Sequence, residues 1–234
     1  MEEIMDEVKK TVIVAQLKAP RAGAIAGILF SILLFISLVL IRLFVPDSPA
    51  DPGTWLSHNS KSIRLALGLL PFAGIAFLWF MGVLRDRMGV NEDRFLSTVF
   101  LGSGLLFLAM TFASSAATGG LLIAYEATPE KFLDSGTYTF ARTLGYELAN
   151  VYALRMAGVF MFSTCTLAIR IAIFPRWMAF LGYALGLFLL LSIGRFGWAT
   201  LVLPLWTLLI SVYVLFANFR PRGVQDRTAI TPTL

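Results

Sequence analysis

An all-α, polytopic transmembrane helical bundle of about six spans is the fold class this 234-residue sequence predicts, on three observations. Hydrophobic residues make up 58% of the chain and charged residues only 14%, against roughly 25% charged in a soluble domain. Apolar runs long enough to cross a bilayer core, about 20 residues at 1.5 Å each, recur along its length. Its Lys and Arg residues flank those runs instead of clustering on a soluble face. The net charge of +5 therefore reads as membrane orientation, and a nucleic-acid partner is not expected.

Residues 1–20 precede the first run and read as a cytoplasmic amphipathic helix with Ile4, Val8, Val12 and Ala15 on one face. A cleaved signal peptide has a shorter apolar core and a shorter, less acidic leader, so the first span is expected to stay. The transmembrane domain covers residues 21–219. Its first span, 22–45, ends at VPDSPADPG, and the second, 63–84, carries Pro71 and Gly74 and stops at RDRMGVNEDR. The third run, 95–125, is too long for one perpendicular span; its small, polar part ASSAATGG, 113–120, predicts a tilt, a break or a protrusion there. The fourth span is 152–174, closed by Pro175, after an extracytoplasmic segment from Glu126 to Asn150. The fifth is 178–193, and GRFG turns it into the sixth, 198–219. Residues 220–234 form a tail.

Six spans put both termini on one side. That side holds Lys9, Lys10, Lys18, Arg21, Arg85, Arg87, Arg94, Arg170, Arg176, Arg220, Arg222 and Arg227, twelve of the nineteen basic residues. The excess predicts that both termini are cytoplasmic. Trp55, Trp177 and Trp198 fall at span boundaries, as amphipathic rings do, whereas Trp79 and Trp206 fall deeper and read as packing residues.

GAIAG at 23–27, GYALG at 182–186, and Ala109, Ala113 and Ala117 have the small-xxx-small spacing that lets helices approach closely. Packing within the bundle is the expected use of all three.

Catalytic signatures are missing. The lone His58 has no second histidine or cysteine pair near it for a metal site, Ser57 and His58 are chain neighbours without an orienting carboxylate, and no glycine-rich phosphate loop precedes a lysine. No cofactor is expected. The single Cys165 excludes an intrachain disulfide. Ion-coupled transport usually needs a carboxylate inside the bundle, and only Glu147 approaches a span.

Basic residues carry the remaining signal. Arg42, Arg64, Arg155 and Arg195 lie at the outer ends of spans one, two, four and five. Together they can line an outward-facing pocket for a carboxylate, a phosphate or an anionic lipid headgroup, which the planar guanidinium fork suits. The plainer reading is snorkelling, with the stem in lipid and the charge in the interface. Helical side chains lean toward the N-terminus, so Arg64 and Arg155 reach the interface easily, whereas Arg42 and Arg195 lean inward. In YELANVYALRMAGVF, 146–160, Glu147 and Asn150 stand at the rim of the fourth span, with Arg155 about 12 Å from Glu147 along the helix. A direct ion pair between those two is not expected. Their partners should come from other spans.

PRAGAIAGILFSILL, which opens the first span, and IFPRWMAFLGYALGLFLLL, residues 173–191, resemble an uncharacterised family of bacterial six-span membrane proteins described only as a domain of unknown function. The likeness covers residues 20–218 as topology. It implies a multi-pass protein of the bacterial cytoplasmic membrane and brings no reaction or site residues with it. The chain is accordingly expected to be a binding, accessory or regulatory membrane component without catalysis, with the bilayer and a membrane protein as partners. The alternative is a small-solute or lipid transporter using the arginine-lined vestibule, and an intramembrane enzyme comes third.

Overall fold

The computed structural model describes residues 2–46, 53, 55–86, 94–129, 136–171, 173–192 and 196–217, leaving aside the side chains of 2–20 and 171. The described residues are 94% helical, with no strand among them. α1 is Glu2–Phe44, α2 the single turn Trp55–His58, α3 Ser60–Asp86 and α4 Arg94–Ala127. α5, Gly136–Glu147, runs through a π-helical segment, Leu148–Ala153, into α6, Leu154–Ile171. α7 is Arg176–Leu191, and a 3-10 segment, Gly197–Leu201, leads into α8, Val202–Ala217.

Among the described residues, five helical stretches are long and apolar enough to cross a membrane: Arg21–Phe44, Ser60–Asp86, Arg94–Ala127, Gly136–Arg170 and Gly197–Ala217. α7 is apolar but has 16 residues, about 24 Å of helix against a core of about 30 Å. Leu29, Phe72, Trp79, Leu105, Phe180 and Phe216, among others, stand exposed on the outside, as lipid-facing residues do.

Several expected boundaries move. α1 continues unbroken through Pro20 and Arg21, so no helix end separates residues 1–20 from the first span; the apolar face proposed for Ile4, Val8, Val12 and Ala15 lies outside the described side chains. The second and fifth helices each begin earlier than expected, at Ser60 and Arg176. ASSAATGG breaks nothing, because α4 is one helix from Arg94 to Ala127, and Glu126 belongs to that helix and not to a loop. The fourth helix starts at Gly136, sixteen residues before the expected 152, so much of the supposed extracytoplasmic segment is helix. The sixth opens as a 3-10 turn at Gly197. The tail 220–234 lies outside the described residues.

Neighbouring helices pack antiparallel. Gly23 faces Val83 and Ser37 faces Ala66 between α1 and α3, Gly74 faces Phe112 between α3 and α4, and Gly104 faces Phe160 between α4 and α6. Gly27 faces Ser211 between α1 and α8, and Gly158 faces Gly186 between α6 and α7. In lipid no hydrophobic force drives helices together, so close approach of small residues has to supply the dispersion energy. GAIAG does this twice: a Cβ on Gly23 would come within 2.6 Å of Val83, and one on Gly27 within 2.8 Å of the Phe80 ring. GYALG seats α7 on α6 in the same way, with Gly182 against Cys165 and Gly186 against Phe162. Ala109 and Ala113 depart from the expectation, since both face outward and only Ala117 meets a neighbour, Gly145.

The centre is aromatic. Phe77 sits 4.5 Å from Phe30, 5.6 Å from Phe107 and 5.0 Å from Phe160, ring centre to ring centre, and Phe160 stacks on Phe100 at 5.1 Å. These rings come from α1, α3, α4 and α6 and plug the middle of the bundle. Trp206 is buried as expected, but Trp79 is 67% exposed and faces outward.

Candidate functional site

Among the described residues, the two segments that depart from α-helical geometry lie at the same end of the bundle, the end that carries Phe44, Ser60 and Gly136. The wider π turn Leu148–Ala153 displaces the helix face, and such turns recur at functional sites. It presents Asn150, only 5% exposed, to α1. There Arg42 Nη2 donates to Asn150 Oδ1 at 2.5 Å, while Asn150 Nδ2 donates to the Tyr146 carbonyl at 3.0 Å. The 3-10 segment closes on the same guanidinium from α8: a Cβ on Gly197 would lie 2.6 Å from Arg42 Nη1. Gly197 is therefore bare because Arg42 occupies the space. An arginine at the C-terminal end of a helix leans back into the bundle, and here it is received between two irregular turns.

A second guanidinium joins it. Arg142 on α5 is 7% exposed, donates Nη2 to the Pro46 carbonyl, and lies 5.5 Å above the centre of the Trp55 ring. Burying a guanidinium is costly unless it is hydrogen-bonded, and these contacts tie α5 to the end of α1 and to α2. Trp55 is consequently no interfacial anchor. It is buried, and its Nε1 donates to the Tyr138 hydroxyl at 3.3 Å within a small cluster that includes Val45, Ile63 and Leu122.

Below the two arginines is a narrow cavity of about 100 Å3. Its upper wall carries Arg42, Arg142, Asn150 and Tyr146 with Ser114, Ser115, Thr118 and Thr200; its lower wall is Leu34, Leu70, Phe107, Leu154, Ala157 and Leu203, with Thr111 between. No acidic residue lines it among the described residues. Leu34 is two helical turns from Arg42, about 12 Å toward the centre. The ASSAATGG stretch thus has a use its composition concealed. Its small side chains receive α5, with Ser114 donating to the Gly145 carbonyl at 2.7 Å, and they leave the cavity open.

Most of the hydroxyls are already engaged. Thr111 donates to Phe107, Thr118 to Ser114 and Thr200 to Gly197, each to a backbone carbonyl. The two guanidinium groups are engaged as well, Arg42 with Asn150 and Arg142 with the Pro46 carbonyl. Above the cavity, sharing Arg42, Val45 and Pro46 with it, an open depression of about 380 Å3 leads outward past Trp55, His58 and Asn59.

Of the residues singled out in the sequence, Arg42 and Asn150 are brought together and line the cavity. Arg64 is not there: it pairs with Glu126 at 2.6 Å on the exposed side of α3 and α4. Arg155 donates to the Val151 carbonyl of its own helix at 3.4 Å and Glu147 is exposed; neither lines the cavity. Arg195 lies outside the described residues. Arg142 was the omission, because residues 126–150 read as an extracytoplasmic segment outside the spans. The spacing of Tyr138, Arg142, Gly145 and Ala149, which share one helical face, was the available signal. Among the described residues no group of three His, Cys, Asp or Glu side chains is placed to hold a metal.

No family model matches the chain, and no curated protein or solved structure is similar to it.

Proposed function

We propose that the chain is a six-span protein of the bacterial cytoplasmic membrane, with both termini inside, that binds a small anion presented from outside and acts as a binding or regulatory component without catalysis. Alternate packing of the six principal helices, the bias of basic residues and the resemblance to the bacterial six-span family support that topology. The observation that carries the binding reading is the lining of the cavity, with Arg42, Arg142 and Asn150 on its polar side and apolar side chains toward the Phe30, Phe77, Phe107 and Phe160 plug. A transporter needs a route past those rings. The vestibule reading shares the mouth of the cavity and differs only in requiring that the plug open.

Native mass spectrometry of the detergent-extracted protein tests the site. The wild-type protein should retain a bound anion, and Arg42→Gln should lose it; equal retention by both would exclude Arg42 from any anion site. Topology is tested by a cysteine placed in 87–93, since the native Cys165 is buried and does not compete. A membrane-impermeant maleimide should reach the new cysteine only after permeabilisation. Labelling of intact cells would reverse the orientation.

A further inference from the structure

The continuous helix from Gly136 to Ile171 carries one residue more than its buried face needs. Its inward positions run Tyr138, Arg142, Gly145, then Asn150, Leu154 and Ala157. The steps are 4, 3, 5, 4 and 3 residues, whereas one face of an α-helix advances by three or four. Ala149, which an unbroken α-helix would bring to that face, is only partly buried. The π turn Leu148–Ala153 absorbs the surplus residue, and Asn150 braces it: Nδ2 donates to the Tyr146 carbonyl at 3.0 Å, and Oδ1 accepts from Arg42 at 2.5 Å. Below the turn the helix is fixed, with Gly158 against the Gly186 carbonyl and the Phe160 ring packed on Phe77 and Phe100. Above it the seating is looser. A Cβ on Gly145 would lie 3.5 Å from Ala117 Cβ and 3.6 Å from Thr118 Oγ1, which is ordinary contact, and the cavity opens beside Tyr146.

We propose that the surplus residue makes α5 a two-register gate at this end of the bundle. In one register the π turn is present and Arg142 is held at the Pro46 carbonyl and over the Trp55 ring. In the other the turn is α-helical. With α6 fixed, α5 then moves about 1.5 Å toward it and turns by about 100°, so each place on the inner face passes to the next residue. Thr139, Thr143 and Tyr146 take the places of Tyr138, Arg142 and Gly145. Ser114 and Thr118 on α4 suit threonines as neighbours, and Tyr146 already lines the cavity that would receive its ring. Asn150, inside the turn, is carried off Arg42. Arg142 leaves Pro46 and Trp55, which border the outward depression, and the wall between depression and cavity opens. The two registers interconvert as alternative states of one helix, and a ligand or partner that favours either shifts the balance. The gate does not depend on what occupies the cavity.

Disulfide formation in the full-length protein reads the register, and the buried Cys165 does not compete. Ala117→Cys with Gly145→Cys reports the π register, because the two Cβ atoms would lie 3.5 Å apart, within disulfide range. Ala117→Cys with Tyr146→Cys reports the turned one. In membranes treated with copper phenanthroline the first pair should close fully, and the second at about a tenth of that rate or less, as for a minor state. Asn150→Leu removes the brace and should raise the second rate about tenfold, the equivalent of one lost hydrogen bond. Deleting Ala149 removes the surplus residue, so the inward positions step by three and four throughout; it should keep the first cross-link and abolish the second. A second pair that closes no faster in Asn150→Leu than in the wild-type background would overturn the gate. So would one that closes as fast after the deletion, since local flexing would then explain it. Where the deletion does not fold, hydrogen exchange of the wild type and Asn150→Leu decides. Amides of Gly136–Glu147 should exchange about tenfold faster in the variant while those of Leu154–Ile171 do not change. Equal exchange of Gly136–Glu147 in the two proteins would leave α5 in a single register.

Discussion

The phenylalanine plug and the cavity above it share α1, α3, α4 and α6, to which the cavity adds α5 and α8, yet one is open and the other solid. In the plug, α1, α3, α4 and α6 contribute Phe30, Phe77, Phe107, Phe100 and Phe160, all 7% exposed or less. About two to four turns above, the same helices and their continuations contribute Ser114, Ser115, Gly145, Ala149 and Ala153, and the backbone leaves the α-helical path at Leu148–Ala153 and Gly197–Leu201. The void is therefore a product of side-chain size and helix geometry, with no element missing. Close packing is the ordinary state of a protein interior. A polar-mouthed void held open by small residues is a departure, and its arginines are what it was built around.

The difference predicts a ranking of substitution costs, highest in the plug. Phe160→Ala removes a ring that touches both Phe77 and Phe100 and should destabilise the protein by about 3–5 kcal/mol, in the usual range for a large-to-alanine change in a core. Thermal unfolding in detergent measures it. A loss below about 1 kcal/mol would mean that the plug is loosely packed, and the barrier to passage through the bundle would lose its basis.

At the mouth of the cavity the second-largest effect belongs to Arg142. Arg142→Met keeps the stem but leaves the Pro46 carbonyl without this donor and the Trp55 ring without its cation. A hydrogen bond to a charged group contributes about 1.5–3 kcal/mol, so unfolding should be eased by about 2 kcal/mol. Protection of α2 and α5 against hydrogen exchange should fall while that of the plug persists. Uniform loss across the bundle would contradict a local role for Arg142 in fastening α5 to α1 and α2.

How far the sequence foretold this arrangement depends on which interactions are local. Apolar runs, the close-packing glycines and the inward lean of Arg42 follow from composition, spacing and helix geometry, and all three are legible. The π turn is not, because no residue in LANVYA demands it; Asn150 reaches Arg42 across 108 positions of chain. Arg142 was hidden for a related reason. Gly136–Glu147 has low hydrophobicity, so it read as part of an extracytoplasmic segment outside the spans, and its place as a helix is set by packing on the small residues of α4 and by the contacts of Arg142. ASSAATGG shows the same limit from the other side: small polar residues leave a tilt, a break and a protrusion open when the surface they fit is unknown.

Gly197→Ala separates the cavity from the fold. The added Cβ would meet the end of a flexible side chain, Arg42 Nη1 at 2.6 Å, so Arg42 can swing aside and stability should fall by only about 1 kcal/mol or less. Ligand affinity should fall about tenfold, equivalent to about 1.4 kcal/mol, because the guanidinium no longer rests between Asn150 and the 3-10 turn. A variant with unchanged anion affinity would show that the position of Arg42 does not matter to binding.

The smallest effect is expected at Arg64, which marks the other fate of an arginine at this end of the bundle. Arg42 ends its helix and leans inward; Arg64 begins its helix and leans toward the end of the bundle, where it pairs with Glu126. Both partners are about half exposed, at 45% and 56%, and exposed pairs contribute about 0–1 kcal/mol. Arg64→Gln should therefore change neither thermal unfolding by more than about 1 kcal/mol nor the anion affinity that Arg42→Gln abolishes. Measuring the two variants side by side, at low and at high salt, tests the contrast directly, since residual effects of Arg64 should fade with screening. An Arg64 variant as defective in binding as the Arg42 variant would merge the two arginines into one electrostatic field and dissolve the distinction between the cavity and its surroundings.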